Sequence, residues 1–191
     1  MPMKIVICTT PIRPIPTSYP PFGSMAVIQA LRSEGYDPHF YDIDGTRPSK
    51  ADIEKFFNEF QPDVVGISAV VSTAYAFTKD LVRMLKRVCP QARIVVGGNL
   101  AASSEILHRL TGVDVCVIGE GETVVTSLMR AFERSRQRVD TEQLESVKGI
   151  TFLAPNGDLR FTGYETRLPA DEVFRPDFTI LEKYTLFDEM S

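Results

Sequence analysis

Two glycine-rich segments hold the residue types best able to build a site for a broad ligand. The first is Val96-Gly97-Gly98-Asn99-Leu100-Ala101-Ala102-Ser103 and the second is Gly119-Glu120-Gly121-Glu122-Thr123. Paired glycines remove side chains, so a wide, flat molecule can lie against bare backbone. The second segment also opens a helical pattern, where unpaired backbone N–H groups can donate to amides or a phosphate. Tight strand-to-helix turns use glycine for steric reasons as well, so neither pair is specific alone. Their occurrence after neighbouring strands describes a broad floor poor in side chains, which suits a macrocycle better than a single nucleotide. Small hydroxyls stand in Ser68-Ala69-Val70-Val71-Ser72-Thr73, a set that also serves as helix caps. A fourth segment, residues 9–22, includes Thr10 and Pro11 and carries five prolines, which make an extended rim that cannot be helical.

Several other chemistries lack their residues. No G-x-G-x-x-G follows the first strand and no G-x-x-x-x-G-K-S/T occurs, which argues against a dinucleotide site and against nucleoside triphosphate hydrolysis. A phosphoacceptor domain needs acidic residues where the first strand ends, and here stand Cys8, Thr9 and Thr10. His39 and His108 are the only histidines, too few for a zinc or histidine acid–base centre. His108 is expected to be a surface or half-buried helix residue. Glu120 and Glu122 could pair as carboxylates, but at a helix start they serve the helix dipole. Cys8, Cys89 and Cys116 lie far apart and read as reduced, buried thiols rather than a disulfide framework or a zinc site.

Composition sets the outer limits. With 191 residues, 43% of them apolar, the chain can bury one sizeable core plus a short appendage. A net charge of −4 argues against a nucleic-acid partner, whose affinity rests on clustered Lys and Arg. Arg130, Arg134, Arg136 and Arg138 do cluster, at the end of a helical pattern where a solvated face suits the dipole. No run approaches the ~20 apolar residues of a membrane span. The start MPMKIVICTT has no signal-peptide flank, so a cytoplasmic protein without a membrane partner is expected.

The elements that must position these loops follow from periodicity. Apolar runs at residues 4–8, 38–42, 64–68, 93–96 and 113–118 read as strands, and several are apolar on both faces, as parallel strands covered by helices are. Helices are predicted over residues 23–34 (Met25, Ile28 and Leu31 inward) and after a capping box at Ser49 and Asp52. The latter carries Ile53, Phe56, Phe57 and Phe60 on one face. Three more are predicted over residues 73–88 (Leu81, Val82, Leu85), 103–111 (Ile106, Leu107, Leu110) and 122–134 (Val124, Val125, Leu128, Met129, Phe132). Five βα units with right-handed crossovers make a flavodoxin-like, Rossmann-like α/β fold, a doubly wound parallel sheet of order 2-1-3-4-5. Pro155, Asn156 and Gly157 between two short β runs signal a small C-terminal hairpin, and a proline-marked apolar tail follows. The expected division is residues 1–136 as the Rossmann-like domain and 137–191 as hairpin and connector.

Taken in order, these loops resemble the N-terminal cobalamin-binding domain of cobalamin-dependent radical SAM proteins. The resemblance rests on Tyr19-Pro20-Pro21-Phe22-Gly23, Pro62-Asp63-Val64-Val65-Gly66-Ile67-Ser68, Val96-Gly97-Gly98 and Gly119-Glu120-Gly121-Glu122. Val147-Lys148-Gly149-Ile150 and Arg175-Pro176-Asp177 extend it over nearly the whole chain. It implies cobalamin as ligand, with contacts from Thr10 and Pro11 of the first loop and Ser68, Ala69, Val70, Ser72 and Thr73 of the second. The glycine loops would add Gly97, Gly98, Asn99, Leu100 and Ala101, then Gly119, Glu120, Gly121 and Glu122. It also implies a radical SAM domain, in cis or in trans, with S-adenosylmethionine and a 4Fe–4S cluster held by C-x-x-x-C-x-x-C. The three cysteines here cannot supply that motif, so the chain is expected to carry the corrinoid for a methyl transfer or related radical reaction performed elsewhere. Methionine-synthase-like domains place a cobalt-binding histidine in D-x-H-x-x-G after the first strand. None stands between Cys8 and Gly23, so cobalt with its benzimidazole displaced and no imidazole beneath it is expected, the tail entering between the first and third strands. Replacing Gly98 with a bulky residue is expected to abolish binding and spare the fold. Two rival readings remain: a ligand-free interaction module, and a flavin or nucleotide binder whose phosphate donors the prolines would remove.

Overall fold

The computed structural model describes residues 2–17, 19–135, 140–165, 177 and 179–182. In chain order the first half contains β1 (Ile5–Thr9), α1 (Phe22–Ser33), β2 (His39–Tyr41), α2 (Ile43–Thr46), α3 (Lys50–Phe60), β3 (Val64–Ser68) and α4 (Tyr75–Val88). The second half contains β4 (Arg93–Gly97), α5 (Ser104–Thr111), β5 (Val115–Val117), α6 (Gly121–Arg134), α7 (Thr141–Glu145), β6 (Ile150–Leu153), β7 (Leu159–Phe161) and α8 (Thr179–Glu182).

β1 is buried along its whole length, so it must be covered on both faces. It pairs in parallel with β2 and β3, and β4 and β5 complete the expected order 2-1-3-4-5. Side chains alternate across the sheet and therefore divide the core in two. Ile5, Ile7, Val95 and Val117 face α1 and α6, whereas Val6, Val65, Ile94 and Cys116 face α3, α4 and α5. Ser49 caps α3, its hydroxyl accepting from the Asp52 N–H at 3.1 Å and donating to the Asp52 carboxylate at 2.6 Å. All three cysteines are free and buried.

The hairpin continues the sheet instead of standing beside it. β6 pairs antiparallel with β5 (Cys116 opposite Thr151) and β7 with β6, giving seven strands in order 2-1-3-4-5-6-7. Its turn closes through Gly157, whose φ of +85° only glycine adopts freely.

α5 departs from expectation. Ile106 and Leu110, predicted inward, are 50% and 59% exposed, and the buried stripe is Ser104, Leu107, His108 and Thr111. A 3-10 turn over Asn99–Ser103 precedes this helix and shifts its phase. β6 then offers His108 a partner: the imidazole is 3% exposed, with Nδ1 2.9 Å from the Val113 carbonyl oxygen and Nε2 3.1 Å from the Thr151 hydroxyl. The helix α2 was also unforeseen. Arg136 and Arg138, most of the apolar tail, and Arg175 and Pro176 lie outside the described residues.

Candidate functional site

A cavity of about 380 Å³ opens at the carboxyl ends of the parallel strands and runs down between the sheet and one pair of helices. Its floor is set by strand alternation. Ile7, Gly66 and Val95 stand side by side in register across β1, β3 and β4, with Ile5, Val64 and Val117 extending the same face. Gly66 drops the floor at its centre, and a Cβ there would stand 2.7 Å from Ile7 Cδ1. The roof is helical. Gly23 and Val27 come from α1 and Gly121, Val125 and Met129 from α6, each set spaced one turn apart. Gly23 and Gly121 stand in the first turns of these helices at the mouth, so no side chain at those two positions closes it.

The mouth has a bare rim. A Cβ added at Gly23, Gly97 or Gly119 would meet nothing within 4 Å, so these positions leave open space that a guest can fill. Gly98 differs from its neighbour. Its φ is +83° and a Cβ there would lie 2.7 Å from the Ala69 carbonyl oxygen, so it serves the close approach of two loops. A bulky residue at Gly98 would strain the fold, contrary to the expectation that the fold survives it.

The structure gathers Ser68, Val70, Gly97, Gly98, Asn99, Gly119, Glu120, Gly121 and Glu122 around the cavity. It does not bring Thr10, Pro11, Ala69, Ser72, Thr73, Leu100 or Ala101 to its lining. Thr10 is buried and donates its hydroxyl to the Ser68 carbonyl at 2.9 Å. Ala69 donates to the Gly97 carbonyl at 2.9 Å and accepts from Leu100 N–H at 3.0 Å, tying the third and fourth strand-end loops together. Leu100 and Ala101 are buried on the opposite side of the sheet, while Ser72 and Thr73 are exposed on a 3-10 turn. Sequence reasoning missed the apolar shaft walls: Val125 and Met129 read there only as core, and Val27 was given no role. Gly66 inside an apolar strand was the available signal, because such a glycine marks a close approach.

A polar clamp holds the proline rim. Thr9 donates its hydroxyl to Asp42 Oδ1 at 2.7 Å and accepts from the Asp44 N–H at 2.9 Å. Arg47 donates to Asp44 Oδ1 at 2.5 Å and to the carbonyls of Arg13 and Ile15 at 2.8 and 2.7 Å. Burial raises the Asp42 carboxyl above its ordinary value, against the hydrogen bonds from Thr9 and Gly45. This Asp42-x-Asp44-x-x-Arg47 set carried no assignment from the sequence.

Neither histidine lines the cavity. His39 lies against Phe56 and Phe60, with ring centroids 5.2 and 5.3 Å away, and His108 is buried beneath α5. Burial pushes the thiols of Cys8 and Cys116 up to about 12, so neither is a thiolate at neutral pH. Among the described residues no group of three or more His, Cys, Asp or Glu could hold a metal ion.

Comparison with known proteins agrees with this geometry. The chain is 32% identical over 139 residues to an anaerobic magnesium-protoporphyrin IX monomethyl ester cyclase of Cereibacter sphaeroides, covering 71% of this chain and 22% of that protein. It is 28% identical over 166 residues to an uncharacterized methyltransferase of Pyrococcus horikoshii, covering 83% of this chain and 34% of that protein. The chain thus spans between about a fifth and about a third of the length of these relatives. Among solved structures, the cobalamin-dependent S-adenosylmethionine radical enzyme OxsB with aqua-cobalamin bound superposes with a TM-score of 0.78 at 19% identity, over 94% of this chain and 25% of that one. The radical S-adenosylmethionine methyltransferase TsrM of Kitasatospora setae follows at 0.68 and 20%, over 83% and 30%. At these identities the likeness is one of fold. The family model of the B12 binding domain matches residues 10–129, the stretch from the proline rim through most of α6, and this chain belongs to that family.

Proposed function

We propose that this chain binds cobalamin as the corrinoid-carrying part of a radical SAM enzyme that transfers methyl groups. One observation carries the reading: among the described residues, a mouth edged by bare glycines opens onto an apolar shaft. Backbone N–H and C=O groups of the loops after β3, β4 and β5 would hold the ring amides, with Ser68, Gly97, Asn99 and Gly119 nearest the opening. The displaced nucleotide tail would descend between the sheet and the helices α1 and α6. The placement of His39 and His108 away from the cavity supports cobalt without a protein imidazole beneath it. When bound, cobalamin supplies a cobalt centre able to carry and hand on an alkyl group. This chain's residues would bind it, orient it and keep water from its tail. The segment after residue 136 would lead toward a radical SAM domain, in cis or in trans, that holds S-adenosylmethionine and the 4Fe–4S cluster.

The test is to mix the purified chain with hydroxocobalamin, desalt it and record the visible spectrum. Retained colour with the spectrum of cobalamin whose benzimidazole has left cobalt is expected. A colourless protein with a cooperative melt would sink the carrier reading. It would favour a docking module instead, for which exposed Ile15, Tyr19, Phe22 and Val70 supply an apolar surface.

A further inference from the structure

The shaft has a chemical bias that bears on which corrinoid it takes. Among the described residues, the walls carry no side-chain nitrogen or oxygen: Ile7, Val64 and Val95 form the floor, and Val27, Val125 and Met129 the roof. The polar side chains of the cavity, Ser68, Asn99, Glu120 and Glu122, all stand at the strand ends, around the mouth. Ladder hydrogen bonds lie in the plane of the sheet, and Ile7, Gly66 and Val95 are paired across β1, β3 and β4. The floor's backbone is therefore engaged sideways and does not point into the shaft. Among the described residues, no buried side-chain nitrogen or oxygen left without a partner belongs to a residue of the lining.

Resting on the corrinoid reading, we propose that the shaft selects corrinoids whose tail ends in an apolar benzimidazole and discriminates against those ending in a purine such as adenine. A detached dimethylbenzimidazole has one free ring nitrogen and an apolar edge carrying two methyl groups. Adenine has several ring nitrogens and an amine, each stripped of water on entry with nothing on the walls to replace it. Each polar group left unpaired weakens binding by roughly tenfold or more. Met129 can adjust to the shape of a flat ring, but its thioether is only a weak acceptor and does not repair that loss.

The experiment compares equilibrium binding of three ligands to the whole chain, followed by the visible spectrum: cobalamin, its adenine-tailed counterpart, and cobinamide, which has no nucleotide. Each affinity is corrected for the free ligand's own equilibrium between coordinated and detached base, so that the ratio reports the seat and not the cobalt–nitrogen bond. Cobalamin should bind at least tenfold more tightly than the adenine form. Equal affinity for those two overturns the proposal, and so does cobinamide binding as tightly as cobalamin, although corrinoid binding itself then stands. If none of the three binds, the corrinoid reading falls and this proposal falls with it. Val95→Thr, which places a hydroxyl on the floor, should narrow the cobalamin-to-adenine ratio at least threefold. A general loosening would weaken both ligands alike, and a folded variant with the ratio unchanged counts against the assignment.

Discussion

Gly97 and Gly98 are neighbours, yet a side chain would meet different things at each. At Gly97 it would enter open cavity, and at Gly98 it would strike the Ala69 backbone from a left-handed conformation. Gly97→Leu should therefore abolish cobalamin retention after desalting and leave the melting temperature within a few degrees. Gly98→Ala should lower stability by about 1–3 kcal/mol in urea unfolding. The two glycines look alike in the sequence because local pattern does not record what stands across a gap.

His108 makes a second residue-scale case. The Val113 carbonyl can only accept, so Nδ1 carries the proton and Nε2 accepts from the Thr151 hydroxyl, an arrangement that needs a neutral ring. Burial lowers the imidazole below its ordinary 6.5, outweighing the pull of the Val113 and Thr151 backbone and of the nearby Asp114 carboxylate toward a charged ring. As pH falls, the unfolded chain takes up this proton first. The stability tied to the neutral ring is full above about 6.5 and is lost as pH drops below that toward the folded value. Denaturant unfolding of the parent should weaken between pH 7.5 and 5.5 more steeply than that of His108→Gln. Parallel slopes would refute the assignment.

Among the elements, the proline rim and the hairpin show how much distant partners add. The five prolines made an extended rim legible from the sequence, but its fastening to Asp44 through Arg47 joins residues more than thirty positions apart. Arg47→Ala would free the Arg13 and Ile15 carbonyls and leave a largely buried Asp44 carboxylate without its cation. The expected result is faster amide hydrogen exchange at Ile12 and Arg13, read by mass spectrometry, with about 1–3 kcal/mol lost. The hairpin was likewise legible from its Pro-Asn-Gly turn, whereas its pairing with β5 was not. Fully buried Phe152 now packs in the same core as Leu128 and Phe132. Phe152→Ala should cost about 3–5 kcal/mol by denaturant unfolding, far more than a free-standing appendage would show.

For the molecule as a whole, the cavity makes ligand binding a matter of stability. Cobalamin that enters only the folded chain should stabilise it by about 2.7 kcal/mol at a hundred times its dissociation constant, seen as a rise in melting temperature. An unchanged melt at saturating ligand would contradict burial of the tail. The five parallel strands, their helices and the glycines at the strand ends were readable from residue order alone. Alternation, helical period and glycine's backbone freedom act over a few neighbouring positions. Tertiary structure alone decided that α1 and α6 roof a shaft, that Leu100 and Ala101 turn to the opposite core, and that His108 is buried with Ile106 and Leu110 left outside. Each of those outcomes depends on which faces of elements far apart in the chain meet, and no local pattern contains that.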